Sequence, residues 1–255
     1  LEAAAALYAA TKDPNIDRLM DDAIAVIAKA QRPDGYVYTK NIIEEKQSGK
    51  SMMFDDVLSF EAYNFGHLMT AACIHNSATG KKNLLEIAIK AADFLIGFYA
   101  KASAVQARNA ICPSHYMGLT ELYRTTGEKK YLKLADYLIT IRGTVEGTDD
   151  NRDRAPFREM RKVAGHAVRA NYLFAGAADV YAETGDPALK SSLDALWDNV
   201  TNTKLYVTGG CGALYDGVSV DGTSYKPDTV QKVHQSYGRD FQLPNLTAYN
   251  ETCAN

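Results

Sequence analysis

Cysteine is scarce in this chain and widely scattered: Cys73, Cys112, Cys211 and Cys253 form no CxxC pair. At this size and density a disulfide framework is not expected. Cys73 sits in the apolar helical run Ala71-Ala72-Cys73-Ile74, which reads as a buried thiol. Basic runs are missing as well. The formal net charge is −3, and the Lys81-Lys82 and Lys129-Lys130 pairs read as solvated turns, so nucleic acid is not an expected partner. No apolar stretch reaches the roughly 18 to 20 residues that a membrane span needs, so no membrane partner is expected. The first ten residues contain an acid and no basic segment, which reads as a helix rather than a signal peptide.

What the chain does contain is core material and a recurring unit. Its 255 residues are 46% apolar, enough for a substantial core. Four turns resemble one another: Ala10-Thr11-Lys12-Asp13-Pro14, Ala78-Thr79-Gly80-Lys81, Thr125-Thr126-Gly127-Glu128 and Glu183-Thr184-Gly185-Asp186-Pro187. Each follows a run rich in small and aromatic residues and precedes a second amphipathic run, such as Leu84-Leu85 continuing to Phe94-Leu95. A glycine stops one helix, and a nearby Asp, Thr or Asn caps the next. Counted from Thr11, Thr79, Thr126 and Thr184, the turns lie 68, 47 and 58 residues apart, room for two antiparallel helices and a loop. Repeated hairpins of this size close into an α/α toroid or stack as a solenoid, and the irregular spacing favours the toroid. Functional loops are then expected at one rim.

The last part of the chain reads differently. Residues Lys204 to Gly212 form a short β-like run ending in glycines, and roughly 30 loop-like residues follow. So long a loop in a helical domain is expected to carry function, and it leads into Glu251-Thr252-Cys253. A carboxylate and a thiol two residues apart suit zinc, because both are strong anionic donors once deprotonated. A tetrahedral site needs more than two ligands. Either it is completed from elsewhere or the chain is a piece of a longer protein, and the piece is the expectation.

Several stretches together resemble one known group of enzymes. They are Pro33-Asp34-Gly35-Tyr36, Glu61-Ala62-Tyr63-Asn64-Phe65-Gly66-His67-Leu68, Gly165-His166-Ala167-Val168-Arg169 and Leu196-Trp197-Asp198-Asn199-Val200. Tyr206-Val207-Thr208-Gly209-Gly210 and the run from Leu243 to Ala254 complete the set. The chain resembles the β-L-arabinofuranosidase glycoside hydrolases, families 127 and 146 and their relatives, over essentially its whole length. The resemblance implies an all-α, (α/α)6-toroid catalytic domain. On that reading residues 1–255 are a single, incomplete toroid, with β-sandwich domains expected in a longer protein. It also implies retaining hydrolysis by a zinc-bound cysteine thiolate. In the family Zn2+ is held by the Glu and Cys of the ETCA motif, here Glu251 and Cys253, and by two cysteines further downstream, one of them the nucleophile. Those two would lie beyond Asn255.

One position departs from the family. A glutamate sixteen residues before the zinc-binding glutamate serves there as acid/base, and this chain has Gln235, within His234-Gln235-Ser236-Tyr237-Gly238. An amide keeps the shape of a carboxylic acid but cannot pass on a proton. An engineered change, a branch using another acid and a non-catalytic relative all remain open. The resemblance also implies that histidines at GH motifs hold the sugar, which makes His67 and His166 substrate-binding candidates at helix starts. His115, in Pro113-Ser114-His115-Tyr116, is a third, and Tyr249 is a candidate for the pocket wall. His234 is a candidate contact to substrate or to a metal ligand, and His75 reads as structural. Trp197, with Leu193 and Val200 at helical spacing, reads as core.

Residues and resemblance together imply a glycosidase of carbohydrate metabolism acting on β-linked L-arabinofuranose or a similar sugar, with an oligosaccharide or plant cell-wall glycan as partner. The alternatives are an inactive carbohydrate-binding relative, or another α/α-toroid sugar enzyme such as an epimerase or an unsaturated glucuronyl hydrolase.

Overall fold

The four Thr-containing turns are built alike, and they explain how the chain organises itself. In each, the threonine hydroxyl donates to the carbonyl four residues back, from Thr11 to Leu7, Thr79 to His75, Thr126 to Leu122 and Thr184 to Val180. The same oxygen then accepts the backbone N–H two residues on. The residue after the threonine is left-handed: Gly80, Gly127 and Gly185, but Lys12 at φ 54° in the first turn. Asp13 and Asp186 accept N–H bonds from the next helix, each followed by a proline at its first position. One hydroxyl thus closes the outgoing helix and fixes the path to the next.

The computed structural model describes residues 1–51, 53–56, 59–108, 110–144, 155–212 and 236–243. Ten α-helices and one pair of two-residue strands among these residues place the chain in the all-α class, as read from sequence. It divides into two units, Leu1–Ala110 with Ser114–Ala135, and Ile111–Pro113 with Asp136–Asn255.

The first unit contains α1 (Glu2–Thr11), α2 (Pro14–Ala30), α3 (Thr39–Ser48), α4 (Glu61–Thr79), α5 (Asn83–Tyr99), α6 (Ala104–Arg108) and α7 (Ser114–Thr126). Helix α4 is its centre, packing on α1, α5 and α7. It has no single polar face: Ala62, Phe65, Met69, Ala72, Cys73 and His75 are all buried. At its contact with α7, a Cβ on Gly66 would lie 2.2 Å from Ser114 Oγ, and one on Gly118 would lie 2.5 Å from the Gly66 carbonyl. The glycine of the first GH motif is therefore explained by helix packing. Burial of Cys73 and His75 agrees with their sequence reading.

In α8 (Lys129–Ile141) the division between the units falls. The second unit continues with a 3-10 turn (Phe157–Glu159), β1 (Gly165–His166), α9 (Ala167–Thr184), α10 (Pro187–Thr203) and β2 (Ser236–Tyr237). Arg158 joins three pieces of it, reaching Asp186 Oδ2 at 2.8 Å, Asp136 Oδ1 at 2.7 Å and Thr140 Oγ1 at 2.9 Å.

Two readings need correction. Residues 204–212 are not a strand: Tyr206 N donates to the Gly210 carbonyl and Gly209 N to that of Tyr206, a tight turn with Gly209 at φ 86°. Trp197 is not in the core but 69% exposed. Helix α10 buries Leu189, Ser192 and Leu196, and Trp197 lies about 100° around the helix from that stripe. Its partners in spacing, Leu193 and Val200, share its open face. With Phe174 and Leu205 they line a cavity of about 600 Å³.

Candidate active site

The site is best defined where residues 236–243 return to the helices of the second unit. Asp240 is the anchor. Its Oδ1 accepts from Asn199 Nδ2 at 3.0 Å and from Lys204 Nζ at 3.0 Å, and its Oδ2 from Lys162 Nζ at 2.7 Å. Lys204 is only 4% exposed and also donates to the Gly238 carbonyl, while Phe241 N donates to the Thr203 carbonyl. The end of α10 thereby holds the segment at several points. Lys162, then Asn199 and Lys204, hold the Asp240 carboxyl well below the usual carboxylate range.

Held in this way, Ser236 and Tyr237 pair antiparallel with the second GH motif: Gly165 faces Tyr237 and His166 faces Ser236. Gly165 enters the pair at φ 80°, and His166 is the N-cap residue of α9, at the helix start expected from sequence. Its ring is half-buried. Two motifs 70 residues apart are therefore adjacent, and position 235 directly precedes the paired strand. Tyr237 is buried and its hydroxyl donates to Asn171 Oδ1 at 2.8 Å. Burial pushes the phenol pKa far up, with the neighbouring Cys211 thiol adding to the effect, so Tyr237 stays a neutral donor at all working pH.

In the first unit His67 lies in the second turn of α4, not at the helix start expected for it. Its ring meets Tyr63 edge-on at 4.4 Å, and burial pushes its pKa down, leaving a neutral imidazole able to donate from one nitrogen and accept at the other. His115 is the second residue of α7 and completely buried, with its ring 6.3 Å from that of Tyr99 and 4.5 Å from that of Tyr116. Gln235, Tyr249, Glu251, Cys253 and His234 lie outside the described residues. Among the described residues no group of three or more His, Cys, Asp or Glu side chains is placed to hold a metal.

The comparisons agree with the motifs. The profile of the β-L-arabinofuranosidase GH127 catalytic domain matches residues 1–255. The chain belongs to the GH127 catalytic-domain family. It is 32% identical to a non-reducing end β-L-arabinofuranosidase of Bifidobacterium longum subsp. longum, over all of this chain and 40% of that protein. Among solved structures it is similar to a glycoside hydrolase at 57% identity and a TM-score of 0.86, covering 99% of this chain and 39% of that one. A GH127 β-L-arabinofuranosidase from Geobacillus stearothermophilus T6 matches at 33% identity and a TM-score of 0.81, covering 99% and 40%. The chain thus spans about 40% of the length of these GH127 relatives.

In each unit, some residues that hold the backbone near the candidate residues carry no signal of their own. Glu61, 2% exposed, accepts from the Tyr36 hydroxyl, from Phe54 N at 2.7 Å and from Ser59 Oγ at 3.1 Å. Burial raises its pKa while these bonds oppose the shift. Its place in the EAYNFGH stretch was visible, but its role as the pin of Phe54 and Ser59 was not. Lys204 and Asp240 read as ordinary charges, since nothing local in the sequence marks a pair 36 residues apart.

Proposed function

We propose that the protein is a glycoside hydrolase of the β-L-arabinofuranosidase type, acting on β-linked L-arabinofuranose or a similar sugar with retention at the anomeric carbon. The observation that carries this reading is GH127 membership over residues 1–255. The pairing of His166 with Ser236 supports it, because it sets the strand that follows position 235 beside a GH motif. In this reading His67 and His166 bond the sugar hydroxyls and Tyr249 forms part of the pocket wall. Complete burial of His115 favours a packing role for it instead.

Glu251 and Cys253 offer a carboxylate oxygen and a thiolate sulfur, a donor set that fits zinc. When bound there, the metal would keep a thiolate deprotonated and nucleophilic at neutral pH. In this reading the attacking thiolate belongs to a cysteine downstream of Asn255. Gln235 occupies the acid/base place, where its amide can donate a hydrogen bond to the glycosidic oxygen without transferring a proton.

The test is Gln235→Glu in the complete translated product, assayed on a β-linked arabinofuranosyl disaccharide. That leaving group needs protonation, so turnover should rise about 100-fold, whereas an aryl glycoside with an acidic leaving group should respond far less. Unchanged disaccharide turnover would contradict the assignment of position 235. Gln235 also favours a second reading, a carbohydrate-binding relative without hydrolysis. Sugar binding with no turnover in either form would support that instead.

A further inference from the structure

Phe60 is held where a phenylalanine gains little for stability. It is the N-cap residue of α4 and has φ 57° and ψ 20°, the left-handed region that costs a bulky L-residue roughly 1 to 2 kcal/mol. A buried ring would offset that cost, yet this one is 42% exposed. Two devices enforce the conformation. The Phe60 carbonyl accepts from both the backbone N and the side-chain Nδ2 of Asn64, at 2.9 and 2.8 Å. The next residue, Glu61, is pinned in the interior by Tyr36, Phe54 and Ser59.

The ring so presented begins a continuous row. Phe60 meets Tyr63 edge-on at 5.6 Å and 81°, and Tyr63 meets His67 at 4.4 Å and 65°. Positions 60, 63 and 67 are spaced to share one side of α4. The row runs from an exposed apolar face to a neutral imidazole that can bond a hydroxyl. A sugar has this same pairing of surfaces: a C–H face that suits an aromatic ring, and hydroxyls at its edge.

We propose that Phe60, continued by Tyr63 and His67, is a stacking platform that seats a sugar residue of the substrate glycan and contributes to its selection. The proposal rests on the glycosidase reading above, in which His67 bonds the sugar. The left-handed backbone at Phe60 is then the cost of presenting the ring to the ligand rather than to the core.

Glycine separates this role from a structural one. At a left-handed position glycine relieves strain, so Phe60→Gly should melt at the same or a higher temperature than the unsubstituted protein. The probe is methyl β-L-arabinofuranoside, titrated calorimetrically into the complete product. Phe60→Gly should bind it about fivefold more weakly, and Phe60→Trp at least as tightly as the original. If Phe60→Gly binds unchanged while His67→Ala is weakened, the platform is overturned and the glycosidase reading stands. If the unsubstituted protein does not bind the glycoside, both are overturned.

Discussion

Replacing Asp240 by asparagine tests how the site segment is held. The substitution keeps the side chain's shape and one accepting oxygen but removes the charge facing Lys204, whose ammonium is almost entirely buried. Breaking a buried ion pair from one side costs about 3–5 kcal/mol, because the remaining charge is stranded. Here the Asp240 side chain is about one-third exposed, and Lys204 keeps the Gly238 carbonyl at 2.5 Å. The expected loss is therefore reduced, to about 2–3 kcal/mol. At roughly 2–4 °C per kcal/mol for a chain of this size, the melting temperature should fall by about 5–10 °C, read by circular dichroism. Lys162→Ala is the control. That side chain is 73% exposed, so its ion pair with the same carboxylate should contribute no more than about 0.5 kcal/mol. The double variant Lys204→Met, Asp240→Asn should recover much of the loss, since no charge remains buried and unpaired. A depressed carboxylate pKa stabilises the fold above the unfolded value near 4, and that contribution is lost as pH falls through the folded value. Asp240→Asn should accordingly flatten the acid limb of the stability curve. An Asp240→Asn protein as stable as Lys162→Ala would refute the anchoring role.

Other consequences can be checked in the same way. His75 is completely buried with neither ring nitrogen hydrogen-bonded, and burial pushes its pKa down, against the opposing field of Asp21 and Asp17 and alongside that of Lys81. A lowered imidazole pKa gives stability that is complete above the unfolded value near 6.5 and is lost as pH falls below it. The drop in melting temperature between pH 7.5 and 5.5 should therefore shrink in His75→Leu, and an unchanged drop would count against the assignment. Gly66→Ala should cost about 3 kcal/mol, because its Cβ would sit 2.4 Å from the His115 backbone nitrogen as well as against Ser114. A variant that melts with the parent would show that α4 and α7 are not packed so closely.

The hairpins were legible because each turn is closed by short-range bonds: one threonine hydroxyl, one left-handed residue and, in two cases, an Asp-Pro pair. Local chemistry of that kind is written in consecutive residues. Helix α10 shows where such reading stops. It carries apolar residues at 189 and 196 and again at 193, 197 and 200, and spacing alone does not say which set turns inward. His67 was placed at a helix start because the glycine before it resembled a boundary. That glycine instead marks a close crossing with α7, and the helix begins at Glu61. At the site, the GH motif and the HQSYG motif could each be found by their residues. Their pairing through Gly165–His166 and Ser236–Tyr237, and the Lys204–Asp240 bond that supports it, join residues distant in sequence that leave no periodic trace.

The proposed chemistry rests on a zinc-held thiolate, and metal content tests it most directly. The complete translated product should carry about one zinc per molecule by elemental analysis, as a single tetrahedral site requires. It should lose hydrolysis of an aryl β-L-arabinofuranoside on chelation and regain it when zinc is returned. A zinc-free protein that hydrolyses the glycoside at full rate would contradict the account.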